Sequence, residues 1–408
     1  MTAVGNTIAA IEQWDSITRA DPGQWDRMAG ARVLHSHGWL RALEESALVR
    51  RRHVYFVARG GDELLGAILT RLQLRGQAGV TLDHTLFNRA ATLARHLRAS
   101  PLPALVAGTQ VGYASPLVLH PGLSAAERGA VRQELLASVE RTAAGNGWSV
   151  CLRDLPHDGS PLAQALADRG YLRTPEMPVA CLPITWDSFT GYLAHLNASH
   201  RWSAKNVRRE LNAARRHGLV IEAIAGASFD PQPLHALLDA HHFRRNREPF
   251  PYDAGLLPRI KSYLGDRAII HVARVGGRVG GVSVGVADAD AMHRLKVGVD
   301  PAVGREASLF ANLCYNHPIE RLTGTGCRRI YYGRLLYDFK IRRGCTLIDA
   351  DLYVNCRNHM RRSMLIALLE IRSRRVAART AGLPRLVDAA DDADVDRPNR
   401  AWASADAS

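Results

Sequence analysis

Val57-Ala58-Arg59-Gly60-Gly61-Asp62-Glu63-Leu64-Leu65-Gly66 and Val272-Ala273-Arg274-Val275-Gly276-Gly277-Arg278-Val279-Gly280-Gly281 are two copies of one pattern. In each, an apolar run meets a glycine pair and is followed by a second apolar run, the signature of strand, tight turn, strand. The glycines of the second copy belong to a hairpin and not to a nucleotide loop, since no helix follows and no Gly-Lys-Ser/Thr occurs. Downstream, each copy has a helical pattern (126–144 and 307–322) ending at Gly145/Gly147 and Gly324/Gly326. An apolar strand then follows (148–152 and 329–332), and after it a short helix closing at Arg169-Gly170 and Arg343-Gly344. A last strand ends each copy, at 178–184 and 346–354. Helix, hairpin, strand, helix, strand, helix, strand is an α/β order with mixed sheets and helices on their faces.

From the hairpins to the Arg-Gly ends, the spacing between matching positions shortens by about 40 residues, which places extra chain in the first copy, most naturally between Leu74 and Thr109. Two tandem domains are therefore expected, at 30–185 and 186–356, behind an N-terminal segment over 1–29. A length of 408 residues suits two domains, each with its own core. Beyond them an amphipathic helix is expected over 357–380, with Met360, Met364, Leu368 and Ile371 on one face and many arginines elsewhere. The Asp- and Ala-rich tail, 381–408, reads as disordered.

No apolar run approaches the roughly 18 residues of a membrane span, and 1–10 lacks the pattern of a secretory signal, so a soluble cytoplasmic protein is expected. Six scattered cysteines without CxxC pairs read as reduced, buried residues. His235, His241, His242 and His293 lack metal-ligand spacing, and no metal is expected. The formal charge of +14, from 53 basic against 39 acidic side chains, points to an anionic partner such as tRNA, a phosphate-rich co-substrate or an acidic substrate. Lysine occurs only at 205, 261, 296 and 340, so arginine is the default cation and a lysine at a special position is informative.

Two places combine charge with pattern. Around 203–217 a predicted helix carries Arg201, Lys205, Arg208, Arg209, Arg215 and Arg216 against Glu210, with Val207, Leu211 and Ala214 opposing them. Such a surface suits a phosphate backbone or an anionic acceptor, although charge runs are commonly just solvated faces. Trp202 beside it suits stacking on a base or, more simply, packing beneath the helix. The second place is Tyr337 and Lys340, which lie opposite Ala163 and Leu166 when the copies are aligned. A phenol can protonate a leaving group, and an ammonium can stabilise an oxyanion or a phosphate.

Tyr337-Asp338-Phe339-Lys340-Ile341-Arg342-Arg343-Gly344 resembles the Tyr-x-x-Lys-x-x-x-Gly ending of the second domain in the Fem-like branch of the GNAT acyltransferase superfamily, a branch that includes aminoacyl-tRNA-dependent transferases. The resemblance extends from Ser36 to Val354. It rests also on the duplicated hairpin, on Ser36-His37-Gly38-Trp39-Leu40-Arg41-Ala42-Leu43-Glu44 and on Lys205-Asn206-Val207-Arg208-Arg209-Glu210. It implies two tandem GNAT-like domains, with the donor in a gap between splayed central strands and its phosphates at the next helix N-terminus. In the second domain that place is the loop 300–308, where Arg305 and Ser308 become the candidate phosphate contacts. The loop lacks the glycine that the GNAT pyrophosphate motif has after Arg305. The implied activity is transfer of an acyl or aminoacyl group, from acyl-CoA or aminoacyl-tRNA as co-substrate, to an amine or hydroxyl of a small-molecule acceptor. No permanently bound cofactor is implied. The second domain is expected to be catalytic, with Tyr337 and Lys340 at its centre, and the first to close the acceptor cleft. A catalytically inactive basic protein that binds RNA or an anionic assembly is the alternative.

Overall fold

The computed structural model describes residues 8–48, 52–77, 81–87, 91–96, 99–109, 111–157, 159–199, 201–356 and 358–386. The chain forms two compact units, each a mixed sheet with helices. The first unit takes in the chain up to Arg41, Val49–Pro178 and the chain from Ile348; the second takes in Ala42–Leu48 and Val179–Leu347.

The first sheet contains β1 (Ala10–Trp14), β2 (His53–Gly60), β3 (Glu63–Gln73), β4 (Ala104–Ala107), β5 (Leu117–Leu119), β6 (Ser149–Pro156) and β7 (Leu172–Pro175). The second contains β8 (Val179–Pro183), β9 (Leu219–Ala223), β10 (Ala268–Val275), β11 (Arg278–Ala287), β12 (Ala291–Val299), β13 (Arg329–Gly333) and β14 (Thr346–Ile348). The last strand, β15 (Ala350–Asn355), returns to the first sheet. The orders are β1-β2-β3-β4-β6-β15-β7, with β5 on β3, and β14-β8-β13-β12-β11-β10-β9.

The repeat is visible at residue level. Hairpins β2–β3 and β10–β11 carry the same register shift at the same dipeptide, Ala58/Arg59 and Ala273/Arg274. Gly276 and Gly277 both sit at positive φ (56° and 79°), as a two-residue turn between right-twisted strands requires. Each sheet also has one parallel pair in the same place, β4–β6 and β12–β13. The predicted 126–144 helix is Ala125–Gly145, opened by a capping box between Ser124 and Glu127. The extra chain of the first copy lies where expected, as helices Leu82–Phe87 and Ala91–His96 between β3 and β4.

The expected boundaries need correcting. The two terminal strands are exchanged: β8, at the end of the first copy, pairs with β13 of the second sheet, and β15, at the end of the second, pairs with β6 and β7 of the first. Both are buried runs (Val179–Leu182 and Ala350–Val354) inserted between other strands. Their apolarity marks a central strand without specifying its sheet. Residues 10–29 are not a separate segment, because β1 pairs antiparallel with β2 and Trp14 and Trp25 are buried. The C-terminal helix, His359–Thr380, buries Leu365, Leu369 and Val376 and packs Leu368 partly buried against the same core, while Met360 and Ile371 are exposed, so the expected apolar stripe is only in part the buried face. With apolar residues on most sides, periodicity alone left that choice open. Of the tail read as disordered, 387–408 lies outside the described residues, while Arg385 is ion-paired to Asp349 at 2.8 Å.

Candidate functional site

The site residues predicted on the second copy lie around the end of β13. Its last residue, Gly333, has φ of 70°, and Leu335 and Leu336 follow at 67° and 55°, a left-handed conformation that is unfavourable for leucine. Both leucines are exposed (55% and 49%). Such strain needs surroundings that enforce it and clusters at binding sites. Here the enforcing group is Lys340, on the helix Tyr337–Ile341. Its Nζ donates to the carbonyls of Tyr332 (2.9 Å), Gly333 (2.8 Å) and Arg334 (3.2 Å), which employs all three of its protons.

Lys340 is only 3% exposed and Tyr337 8%, so this short helix turns both side chains inward. The repeat explains the burial. Leu166 and Ala163, at the matching positions, face the core of the first unit, so the position points inward in both copies. A lysine placed there must find acceptors, and the carbonyls at the strand end supply them. Burial also pushes the Lys340 ammonium down to about 8.

Beside this loop, β12 and β13 diverge. Their parallel pairing covers only Ala291–His293 with Arg329–Tyr331, yet β12 continues to Val299. The loop after β12 winds into one helical turn, Pro301–Gly304. There Asp300 accepts from Ala302 N through its side chain and from Val303 N and Gly304 N through its carbonyl. Arg305 is exposed, and Ser308 takes a left-handed φ of 49°. The helix expected over 307–322 starts at Leu309 and contains a π-turn, Asn312–Asn316. Pro318 has no N–H with which to continue an α-helical ladder, and a π-turn accommodates the defect.

A polar relay joins these parts. Asn312 Nδ2 donates to the carbonyls of Ser308 and Glu210 (both 3.1 Å), and Asn316 Nδ2 donates to Glu210 Oε2 (3.0 Å). Arg343 grips Glu210 with one terminal nitrogen (2.7 and 2.8 Å) and lies 3.6 Å from the Phe339 ring centroid. Glu210 belongs to the basic helix, observed as Arg201–Arg216. Of the predicted sites, the relay thus links Ser308, the basic helix and the Tyr337–Lys340 helix. It holds Arg305 only through their shared loop.

On the basic helix Ala204, Val207 and Ala213 are buried, and Lys205, Arg208, Arg209, Arg215 and Arg216 are exposed. Trp202 is 74% exposed, which overturns packing beneath the helix, and Lys205 Nζ stands 5.2 Å from its ring centroid. The side chain of Arg201 lies outside the described residues. Sequence reasoning missed Arg343, Asn312, Asn316 and the strained loop. The one available signal was Glu210, an isolated acid in a basic helix. His293 hydrogen-bonds Asp288 (2.8 Å) and stacks on Tyr331, and among the described residues no three His, Cys, Asp or Glu gather as metal ligands. Nor is any helix of the described residues long and apolar enough to cross a membrane.

The family model described as FemAB-like, peptidoglycan biosynthesis/recognition, matches residues 16–364. No curated protein matches the chain in sequence. Among solved structures, the C-terminal domain (DUF2156) of a putative lysylphosphatidylglycerol synthetase from Agrobacterium fabrum superposes with a TM-score of 0.51 at 14% identity, covering 87% of this chain and 96% of that one. FemX superposes with a TM-score of 0.51 at 10% identity over 83% and 96%. A tandem GNAT protein from the clavulanic acid pathway gives 0.43 at 13% identity over 85% and 98%.

Proposed function

This chain belongs to the FemAB-like family, and we propose that it transfers an aminoacyl group from aminoacyl-tRNA to an amine or hydroxyl of a small acceptor, with the chemistry in the second unit. The observation that carries the choice of donor is the loop 300–308. It lacks the glycine that the GNAT pyrophosphate motif has after Arg305, and the Arg305 carbonyl accepts from Ser308 N (3.3 Å), which engages an amide that a coenzyme A diphosphate would need. The basic helix, by contrast, offers exposed cations and an exposed indole, the combination that holds a phosphate backbone and stacks on a base.

In this reading the acceptor amine attacks the ester carbonyl of the aminoacyl end. The tetrahedral oxyanion collapses and expels the ribose oxygen, which takes up a proton as the new amide nitrogen loses one. Tyr337 is the proposed proton donor to that oxygen. Lys340 acts as a positioning residue, because its protons are committed to the 332–334 carbonyls and it shapes the loop that borders the diverging strands. The family description and the neighbouring transferases support an acceptor among peptidoglycan precursors or lipid headgroups.

The test is incubation with radiolabelled aminoacyl-tRNAs or acetyl-CoA and candidate acceptors, followed by capture of label on the acceptor. Transfer from aminoacyl-tRNA that disappears in Tyr337→Phe supports the reading. Transfer from acetyl-CoA alone would replace the donor, and tRNA binding without transfer would favour the inactive binding protein.

A further inference from the structure

Arg294 is buried (9% exposed) on β12, at the first residue beyond the pairing with β13. Its guanidinium donates to Ser283 Oγ and to the Leu313 carbonyl of the π-turn (3.4 Å) and meets the Cys314 thiol, all of them neutral groups. Several other buried or half-buried charges in the protein have an ionic partner, and the buried Lys340 has three carbonyls, one for each of its protons. Arg343 has Glu210, Arg153 has Glu176 at 2.8 Å, and the buried Asp351 has Arg173 at 2.7 Å. A buried guanidinium that faces only neutral groups carries an uncompensated desolvation cost, which an anion at the site would offset.

The surroundings are built to receive one. On the same side of the sheet, His271 (7% exposed) has a buried Nδ1 without a hydrogen-bond partner. On β13, Tyr332 (9% exposed) has a buried Oη without one. Buried polar atoms are normally satisfied, so two orphans in the neighbourhood of one unpaired cation call for a ligand. The His271 ring meets His317 edge-on at 4.9 Å, and His317 is partly exposed with Arg321 exposed one turn further on. This row runs from the surface to Arg294.

We infer that Arg294, Ser283, His271 and Tyr332 form a binding subsite for a single carboxylate, with the Arg294 guanidinium as its counter-ion. The charge count selects the class. Burial, with His317, Arg294 and Arg321 nearby, holds His271 down to about 3, and burial with Arg321 and Arg294 holds His317 to about 4, so both are neutral near pH 7. The four side chains of the subsite then carry the one charge of Arg294, which a carboxylate balances and a phosphate dianion exceeds; Lys340, on the main chain of Tyr332, has its protons committed to the 332–334 carbonyls. The inference rests on the second sheet alone, and it stands or falls independently of the proposed transfer reaction.

Sodium acetate titrated into the full chain, against sodium chloride at matched ionic strength, tests it. A saturable rise in melting temperature specific to acetate is expected, together with shifts of the His271 and His317 imidazole resonances. Arg294→Met, which replaces the charge with an apolar chain of similar length, should fold at least as stably without acetate and lose the response. Equal effects of acetate and chloride, or an acetate response that survives in Arg294→Met, would overturn the site. A stronger response to inorganic phosphate would overturn the carboxylate class. If Arg294→Met fails to fold, the wild-type imidazole shifts decide, and their absence counts against the subsite.

Discussion

Arg343 and Glu210 form a two-point ion pair, 2.7 and 2.8 Å, that fastens the basic helix to the segment carrying Tyr337 and Lys340. Both side chains are largely buried, at 6% and 14% exposed. Removing one partner of such a pair leaves the other uncompensated, at a cost of about 3 to 5 kcal/mol. Glu210→Gln should therefore lower unfolding free energy by that order in urea titration, and Glu210→Met with Arg343→Met should recover much of the loss. A change in Glu210→Gln within the ~0.5 kcal/mol of ordinary surface substitutions would show that the pair does not hold the helix.

Lys340 gives a prediction with a definite sign. Burial lowers its pKa to about 8 in the folded protein, against 10.5 when exposed. Between those values the unfolded chain binds more protons, so the contribution of this position to stability rises with pH; it is smallest below about 8, where the ammonium persists in both states. Wild type should thus gain on Lys340→Met by about 3 kcal/mol between pH 7.5 and 10.5, as other titrating groups cancel in the comparison. A difference independent of pH would mean that Lys340 is not held as a buried ammonium. In Lys340→Met the amides of 333–336 should also exchange faster, since their strained turn loses its three-point anchor.

Trp202 separates binding from folding. Being 74% exposed, it should tolerate Trp202→Ala with a stability change under about 0.5 kcal/mol. Loss of one stacked base costs about 1 to 3 kcal/mol, so tRNA affinity should fall roughly tenfold. Lys205→Ala should weaken binding and flatten its dependence on salt, as one fewer counterion is released. Unchanged tRNA affinity in both variants, measured by filter binding across salt concentrations, would remove this helix from the interface.

Much of this architecture is legible in the sequence because it is duplicated. The two hairpins, their shared register shift at Ala58/Arg59 and Ala273/Arg274, and the helices ending in Arg169-Gly170 and Arg343-Gly344 are local patterns that one copy confirms in the other. The exchange of β8 and β15 was not legible, because the sheet a buried apolar strand joins is decided by tertiary pairing. Lys340 was conspicuous as a rare lysine, but its burial shows only through comparison with Leu166, which occupies the same inward position. Arg294 gave no signal, since an arginine in a strand ordinarily faces water. The left-handed turn at Leu335 and Leu336 is imposed by the Lys340 contacts and runs against the preference of leucine.

Amide hydrogen exchange of the full chain, with and without aminoacyl-tRNA, tests the assignment of chemistry to the second unit most directly. The account predicts protection at 201–216, 300–308 and 333–340 and little change at the matching end of β6 and the helix Pro161–Asp168 of the first unit. Protection confined to the first unit, or none at 333–340 under saturating aminoacyl-tRNA, would contradict it.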